Sequence, residues 1–254
     1  MADTKERVFI ADTECTGTEA GKDQVVELAM MDLPKTPEAF MKAKLEDLPM
    51  AHHLYGHDVP MTLGALAAHR IPATELEGKP KFDRDNRMGE GGAGETGYMI
   101  GHNVDFDSEF LNNQGCKHIC TLALARHVFP ELDSHTQSAV LLHIGRITKN
   151  GESWALDLIK NAHRADADVM NCARVLKYLI FMISRNKQVI GGLSWEDIYQ
   201  VCLEARIPKV MTFGKFKGLE VQDVEPSWAE WYAKQDNAGK YVLAALRKHG
   251  VLTS

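Results

Sequence analysis

At 254 residues, with 44% hydrophobic and 25% charged side chains, the chain can bury a sizeable core, which excludes a disordered or fibrous protein. A formal charge of −6 excludes nucleic-acid binding through bulk positive charge alone. The five cysteines (Cys15, Cys116, Cys120, Cys172, Cys202) have no disulfide-framework spacing and read as reduced thiols of a cytoplasmic protein.

Met1–Arg7 is charged and shows no signal peptide. Arg7–Asp12 (RVFIAD) is β-branched and apolar and predicts a buried strand. Gly17–Lys22 predicts a turn and Gln24–Leu33 (QVVELAMMDL) a second strand, so the two form a hairpin. Phe40–Leu45 is expected to be a third strand and Leu63–Ala68 a short helix. Asp83–Gly97 (DRDNRMGEGGAGETG) has five glycines and almost no apolar residues, and predicts a mobile loop. Tyr98–Gly101 predicts a strand, and Asn103 an N-cap for a helix over Asp105–Asn112. His118–Leu122 reads as a buried strand; Cys116, His118 and Cys120 alternate there and are assigned to the core rather than to zinc. Helices are predicted over Leu122–Val128, Gln137–Gly145 and Ala155–Ala162. A long one covers Asp166–Ser184, with Val169, Ala173, Leu176 and Ile180 at helical spacing. Its apolar stretch is interrupted by Lys177 and too short to span a bilayer, so no membrane partner is expected. Gly191-Gly192 breaks the pattern and divides the chain into domains 1–188 and 189–254. Trp195–Arg206 predicts a short helix and Phe213–Val224 a small β-rich unit. From Ala205 onward eight Lys/Arg stand against five Asp/Glu, a net of +3 that leaves −9 on the remainder. Strands first with helices interleaved later fit a mixed α/β sheet.

Three acidic clusters carry the chemistry. Asp12-Thr13-Glu14 ends an apolar strand, where residues two apart point to one side. Two carboxylates aimed together repel unless a cation sits between them, and hard divalent ions prefer such oxygen ligands. His102-Asn103-Val104-Asp105-Phe106-Asp107 follows another strand; alone it also fits an acidic helix start. In His163-Arg164-Ala165-Asp166-Ala167-Asp168 the histidine and last aspartate lie roughly 140° apart on an ideal helix. They converge only if His163 sits in a loop and Asp168 in the first turn behind it.

The order and context of these clusters resemble the DEDDh exonucleases, the family of the proofreading subunit of bacterial DNA polymerase III, with its D-x-E-T-T-G, H-N-x-x-F-D and H-x-A-x-x-D motifs. Cys120–Arg126 with Ser134-His135 is similar to the stretch between its second and third motifs. Ala68-His69-Arg70-Ile71 is similar to its H-G-I segment, with Arg70 where glycine is usual, and Cys15 replaces a threonine. The resemblance covers about residues 7–184. It implies a ribonuclease H-like fold: a mixed five-stranded sheet flanked by helices. It implies metal ligands Asp12, Glu14, Asp107 and Asp168 holding two Mg²⁺ or Mn²⁺ ions, and His163 as general base. Thr13, His69, His102 and Asn103 would bind substrate, while Asp105 and Asp166 fall on variable positions. The implied activity is metal-dependent 3'→5' hydrolysis of DNA, at single-stranded 3' ends, to nucleoside 5'-monophosphates. A 3'→5' exoribonuclease of the ribonuclease T or oligoribonuclease type, and a non-catalytic polymerase-associated binding module, remain alternatives.

Met211–Gly218 (MTFGKFKG) with Pro226–Trp231 (PSWAEW) resembles the C-terminal domain of the exodeoxyribonuclease X branch of that family. A small α+β domain is expected there. It reads as a nucleic-acid clamp through Lys215 and Lys217, as a tight hairpin with an aromatic core, or as both at once.

Overall fold

The computed structural model describes residues 6–84, 96–113, 115–187 and 192–253. The predicted glycine loop 83–97 falls mostly outside the described residues. The chain divides into two compact units, Met1–Tyr199 and Gln200–Ser254.

In the first unit, β1 (Arg7–Cys15) and β2 (Val25–Asp32) form the predicted antiparallel hairpin. The segment expected as a third strand is instead a helix, α1 (Pro37–Lys42). Thr36 caps it, its hydroxyl accepting the Ala39 N–H at 3.2 Å, and Pro37 occupies the first helical position. These start signals outweigh the apolar pair Phe40-Met41 that reads as strand. The third strand is β3 (Met50–Leu54), a largely exposed edge. Two short helices, α2 (Leu63–His69) and α3 (Ala73–Leu76), precede β4 (Gly97–Gly101). Then come α4 (Val104–Phe110), β5 (Cys116–Cys120), α5 (Thr121–Val128), α6 (Gln137–Ile147), α7 (Gly151–Leu158) and α8 (Ala165–Lys187). Asn103 does stand at the start of α4, but its side chain makes no cap bond; its φ of 77° turns the chain instead.

The sheet order is β3-β2-β1-β4-β5. β1 is central, antiparallel to β2 and parallel to β4, so the sheet is mixed and five-stranded, flanked by helices as expected. Val8, Phe9, Ile10 and Ala11 are all buried, as are Val25 through Met31. The reason is cover by helices: α8 packs across β1 and β2, and α4 against β1, β4 and β5. Strands enclosed in this way read as continuous apolar runs.

α9 (Trp195–Arg206) crosses the division between the units. Trp195 donates its indole N–H to the Pro34 carbonyl at 3.0 Å and packs 5.9 Å from the Phe40 ring. The start of α9 is therefore part of the first unit, and the division between the two compact units falls inside the helix.

The second unit has its own core, including Met211, Val221, Val224, Tyr232 and Leu246. Its main helices are α10 (Pro226–Tyr232) and α11 (Lys240–Lys248). The expected β-rich stretch Phe213–Val224 holds two 3-10 turns, Gly214–Phe216 and Val221–Asp223, and one antiparallel bridge, Val210↔Glu220. Gly214 and Gly218 both take left-handed φ (65° and 89°), which closes the chain into a loop too tight to leave a strand between them. No helix among the described residues is long and apolar enough to cross a membrane.

Candidate active site

The central strand β1 delivers Asp12 and Glu14 to one side near its carboxyl end. Glu14 pairs with Glu27 across the sheet, and the register then slips, so that Cys15 faces Val25. Such an irregularity re-aims the side chains beside it. The following turn is built on Asp23, whose carboxylate accepts the Thr16 hydroxyl at 3.2 Å and the Glu19 N–H at 2.9 Å. Gly17 leaves room for that carboxylate: a Cβ there would stand 2.4 Å from it, so Asp23 would have to shift.

Asp107 enters from the first turn of α4 and is buried. Its Oδ1 accepts both the Thr13 backbone N–H (2.9 Å) and the Thr13 hydroxyl (2.8 Å). Thr13, expected against substrate, thus gives both donors to a carboxylate of the site. Asp168 enters from the first turn of α8, and its Oδ2 accepts the His163 backbone N–H at 2.8 Å. His163 lies in the loop before the helix with φ 68°, a left-handed conformation that costs a non-glycine residue ~1–2 kcal/mol. That geometry brings potential ligand atoms of Glu14, His163 and Asp168 within 4.8 Å of one another, with His163 exposed. All three acidic clusters therefore meet.

Their electrostatics are those of acids crowded out of water. Burial pushes Asp12 well up from the usual carboxylate range, and the charges of Asp107, Asp168, Glu14 and Glu27 add to it. Glu14 is pushed up to about 8, first by desolvation and then by Asp168 and Glu27. Desolvation raises Asp107 to about 7 against the opposing bonds from Thr13, and Asp168 to about 6 against the bond from His163. Such a donor set, all oxygen and mutually repelling, fits a hard divalent cation.

The family model described as Exonuclease matches residues 9–176. The chain belongs to the exonuclease family. Exodeoxyribonuclease 10 of Escherichia coli K12 is 26% identical over 225 residues, 87% of this chain and 88% of that protein. Among solved structures, exonuclease X in complex with 5' overhanging duplex DNA aligns with a TM-score of 0.52 at 22% identity, over 76% of this chain and 99% of that one. Escherichia coli exonuclease I in complex with a dT13 oligonucleotide also gives 0.52, at 16% identity, over 72% of this chain and 43% of that one. At these identities the structural likenesses speak to the fold.

Other residues singled out in this exonuclease divide by their contacts. His102 uses both ring nitrogens within the chain, Nε2 on the His135 carbonyl (2.9 Å) and Nδ1 on the Thr121 hydroxyl (3.0 Å). Burial pushes it down to about 4, so it stays neutral. His69 is buried, and its Nδ1 accepts the Ile71 N–H at 3.0 Å, supporting the turn after α2. Asn103 is exposed. Asp166 is half-buried, with its carboxylate close to Glu27 and His52. Sequence reasoning passed over Glu27 and Arg164. The available signal was a single charge inside the apolar run Val25–Met31, which a strand enclosed on both faces does not tolerate without a partner.

Metal should stabilise the protein in a pH-dependent way. Each of the four acids has a folded pKa above its ordinary value, so the folded state holds protons that the unfolded state has released. Stability without metal is therefore full below about pH 4 with respect to these groups and declines toward about pH 8. A divalent cation binds the ionised forms and displaces the protons. With Mg²⁺ or Mn²⁺ at ~100 times Kd, Tm should rise by about 5–10 °C at pH 8, and by much less at pH 5. Thermal unfolding in EDTA and in metal measures this; no metal-induced shift at pH 8 would remove the cation from the site.

Proposed function

We propose that this exonuclease is a metal-dependent 3'→5' exodeoxyribonuclease that releases nucleoside 5'-monophosphates. The observation that carries the reading is the meeting of Glu14, Asp168 and His163 beside Asp12 and Asp107. Asp12, Glu14, Asp107 and Asp168 would hold two Mg²⁺ or Mn²⁺ ions. When bound, such a pair supplies charge neutralisation for the attacking and leaving oxygens of a phosphodiester. His163, exposed at the rim of the carboxylates, takes a proton from the attacking water; histidine is the side chain most often used for this step. DNA as substrate is supported by the curated relative, an exodeoxyribonuclease, and by the fold neighbour in complex with duplex DNA. Five cysteines, all buried and free, fit a cytoplasmic location.

Matched DNA and RNA oligonucleotides, labelled at either end and incubated with Mg²⁺, test the reading. Loss of the 3' label first, as a mononucleotide and from DNA in preference, is expected. Preference for RNA would favour the ribonuclease T-like alternative. No cleavage of either strand would leave a binding module.

The C-terminal domain is proposed to assist by gripping the strand. Support comes from a net charge of +3 over residues 205–254, from exposed Lys215 and Lys217, and from Trp231, which is 55% exposed. A structural role for the same segment is favoured by the other aromatics. Trp228 stacks on Tyr232 at 4.9 Å, and Phe213 and Phe216 pack against Trp228. Lys215 also pairs with Glu225 at 3.1 Å, an exposed bridge weak enough to be exchanged for a phosphate. Lys215→Ala with Lys217→Ala should weaken binding to long single strands. It should also lower the slope of log affinity against log salt by about 0.7 for each phosphate that is no longer neutralised. Binding is read with a metal-site variant that cannot cut, and an unchanged slope and affinity would assign the segment to folding instead.

A further inference from the structure

The loop that carries His163 is held from both sides by groups outside the acidic cluster. Before it, Arg70 at the left-handed end of α2 donates Nη2 to the Ala162 carbonyl at 2.8 Å. After it, Arg164 and Ala165 are bound by one side chain, Glu27 of β2, which is fully buried. The Arg164 Nε lies 3.1 and 3.3 Å from the two Glu27 oxygens, and its Nη2 lies 3.0 Å from Oε1. The Ala165 N–H donates to Oε2 at 2.9 Å, and His52 Nε2 meets Oε1 at 2.7 Å. A buried carboxylate with this many donors is compensated, and its bonds are directional as well as strong. Glu27 also sits opposite Glu14 in the β1–β2 register. One residue thus links the strand pair carrying Asp12 and Glu14 to the backbone immediately behind His163. Since His163 holds a strained left-handed φ, its place depends on such outside tethers.

We propose that Glu27 is a positioning residue for the general base: through Arg164 and the Ala165 N–H it sets where the His163 imidazole stands relative to the carboxylates. The inference rests on the reading of His163 as the base, and the experiment separates the two. Glu27→Gln keeps the shape and one carbonyl acceptor but removes the charge that grips the guanidinium. Its kcat should fall roughly 10–100-fold with KM unchanged. In a His163→Ala background, measured at single turnover, the same change should have no further effect, because there is no imidazole left to position. Arg164→Lys serves as the second variant should Glu27→Gln fold poorly. Arg164 is only partly buried, and lysine keeps the charge while losing the fork; it should lower kcat in the same way and lose its effect in the same background. A Glu27→Gln or Arg164→Lys effect that persists undiminished without His163, or an Arg164→Lys effect that appears in metal affinity, overturns the positioning role. So does normal kcat in both folded variants, even where His163→Ala is inactive. Full turnover by His163→Ala overturns the base assignment itself, and the positioning role with it.

Discussion

Asp12→Ala should lower turnover by at least ~10³-fold, about 4 kcal/mol of lost transition-state stabilisation. Asp12 stands where the charges of Asp107, Asp168, Glu14 and Glu27 all act on it, in the carboxyl-terminal half of the central strand, so its removal opens the proposed ligand set. The same change has an opposite effect on the metal-free fold. A carboxylate whose pKa is raised by burial and like charge destabilises the folded state near neutral pH. The metal-free alanine variant should therefore melt no lower than the parent at pH 8, while losing the metal-induced rise. Steady-state turnover and thermal unfolding in EDTA and in Mg²⁺ give both numbers. Near-normal turnover in a folded Asp12→Ala protein would end the assignment of this site.

His163→Ala should slow turnover by roughly 10²–10⁴-fold and leave metal affinity nearly intact. The backbone needs a control, because His163 has φ 68° and its N–H binds Asp168. Asparagine tolerates that conformation better than alanine does. His163→Asn should therefore keep the loop and the Asp168 bond while losing the imidazole, and the two variants should fall together in kcat. Calorimetric titration with Mn²⁺ measures the affinity. Loss of metal binding in both variants would make His163 a ligand or a support rather than a base.

The acidic and histidine residues were legible because each cluster adjoins a strand or opens a helix, where spacing alone limits where a side chain can point. The sheet was legible for a similar reason: β1, β2 and β4 are built on short apolar runs. Phe40–Leu45 misled because its apolar content is that of a strand, while the deciding atoms are the Thr36 cap and the Pro37 ring just ahead of it. In MTFGKFKG the alternation of aromatic and lysine imitates a strand, but the left-handed glycines curl it. Glu27 and Arg164 escaped because they lie 137 positions apart, and neither residue alone shows that it needs the other. His102 looks like a substrate group by position, while in the structure both its ring nitrogens have partners within the chain.

The carboxylate cluster draws on β1, α4 and α8, which lie near the start, the middle and well beyond the middle of the chain. A nascent chain that has emerged only through α4 carries Asp12, Glu14 and Asp107 but has neither Asp168 nor the histidine loop. The full cluster exists only once α8 has closed over β1 and β2, an approach that must bridge most of the first unit. On the proposed assignment, cutting power is then coupled to the completion of folding. A half-made or locally unravelled molecule, free among the cell's nucleic acids, has acids but no assembled blade, and hydrolysis reports on the integrity of the whole catalytic unit.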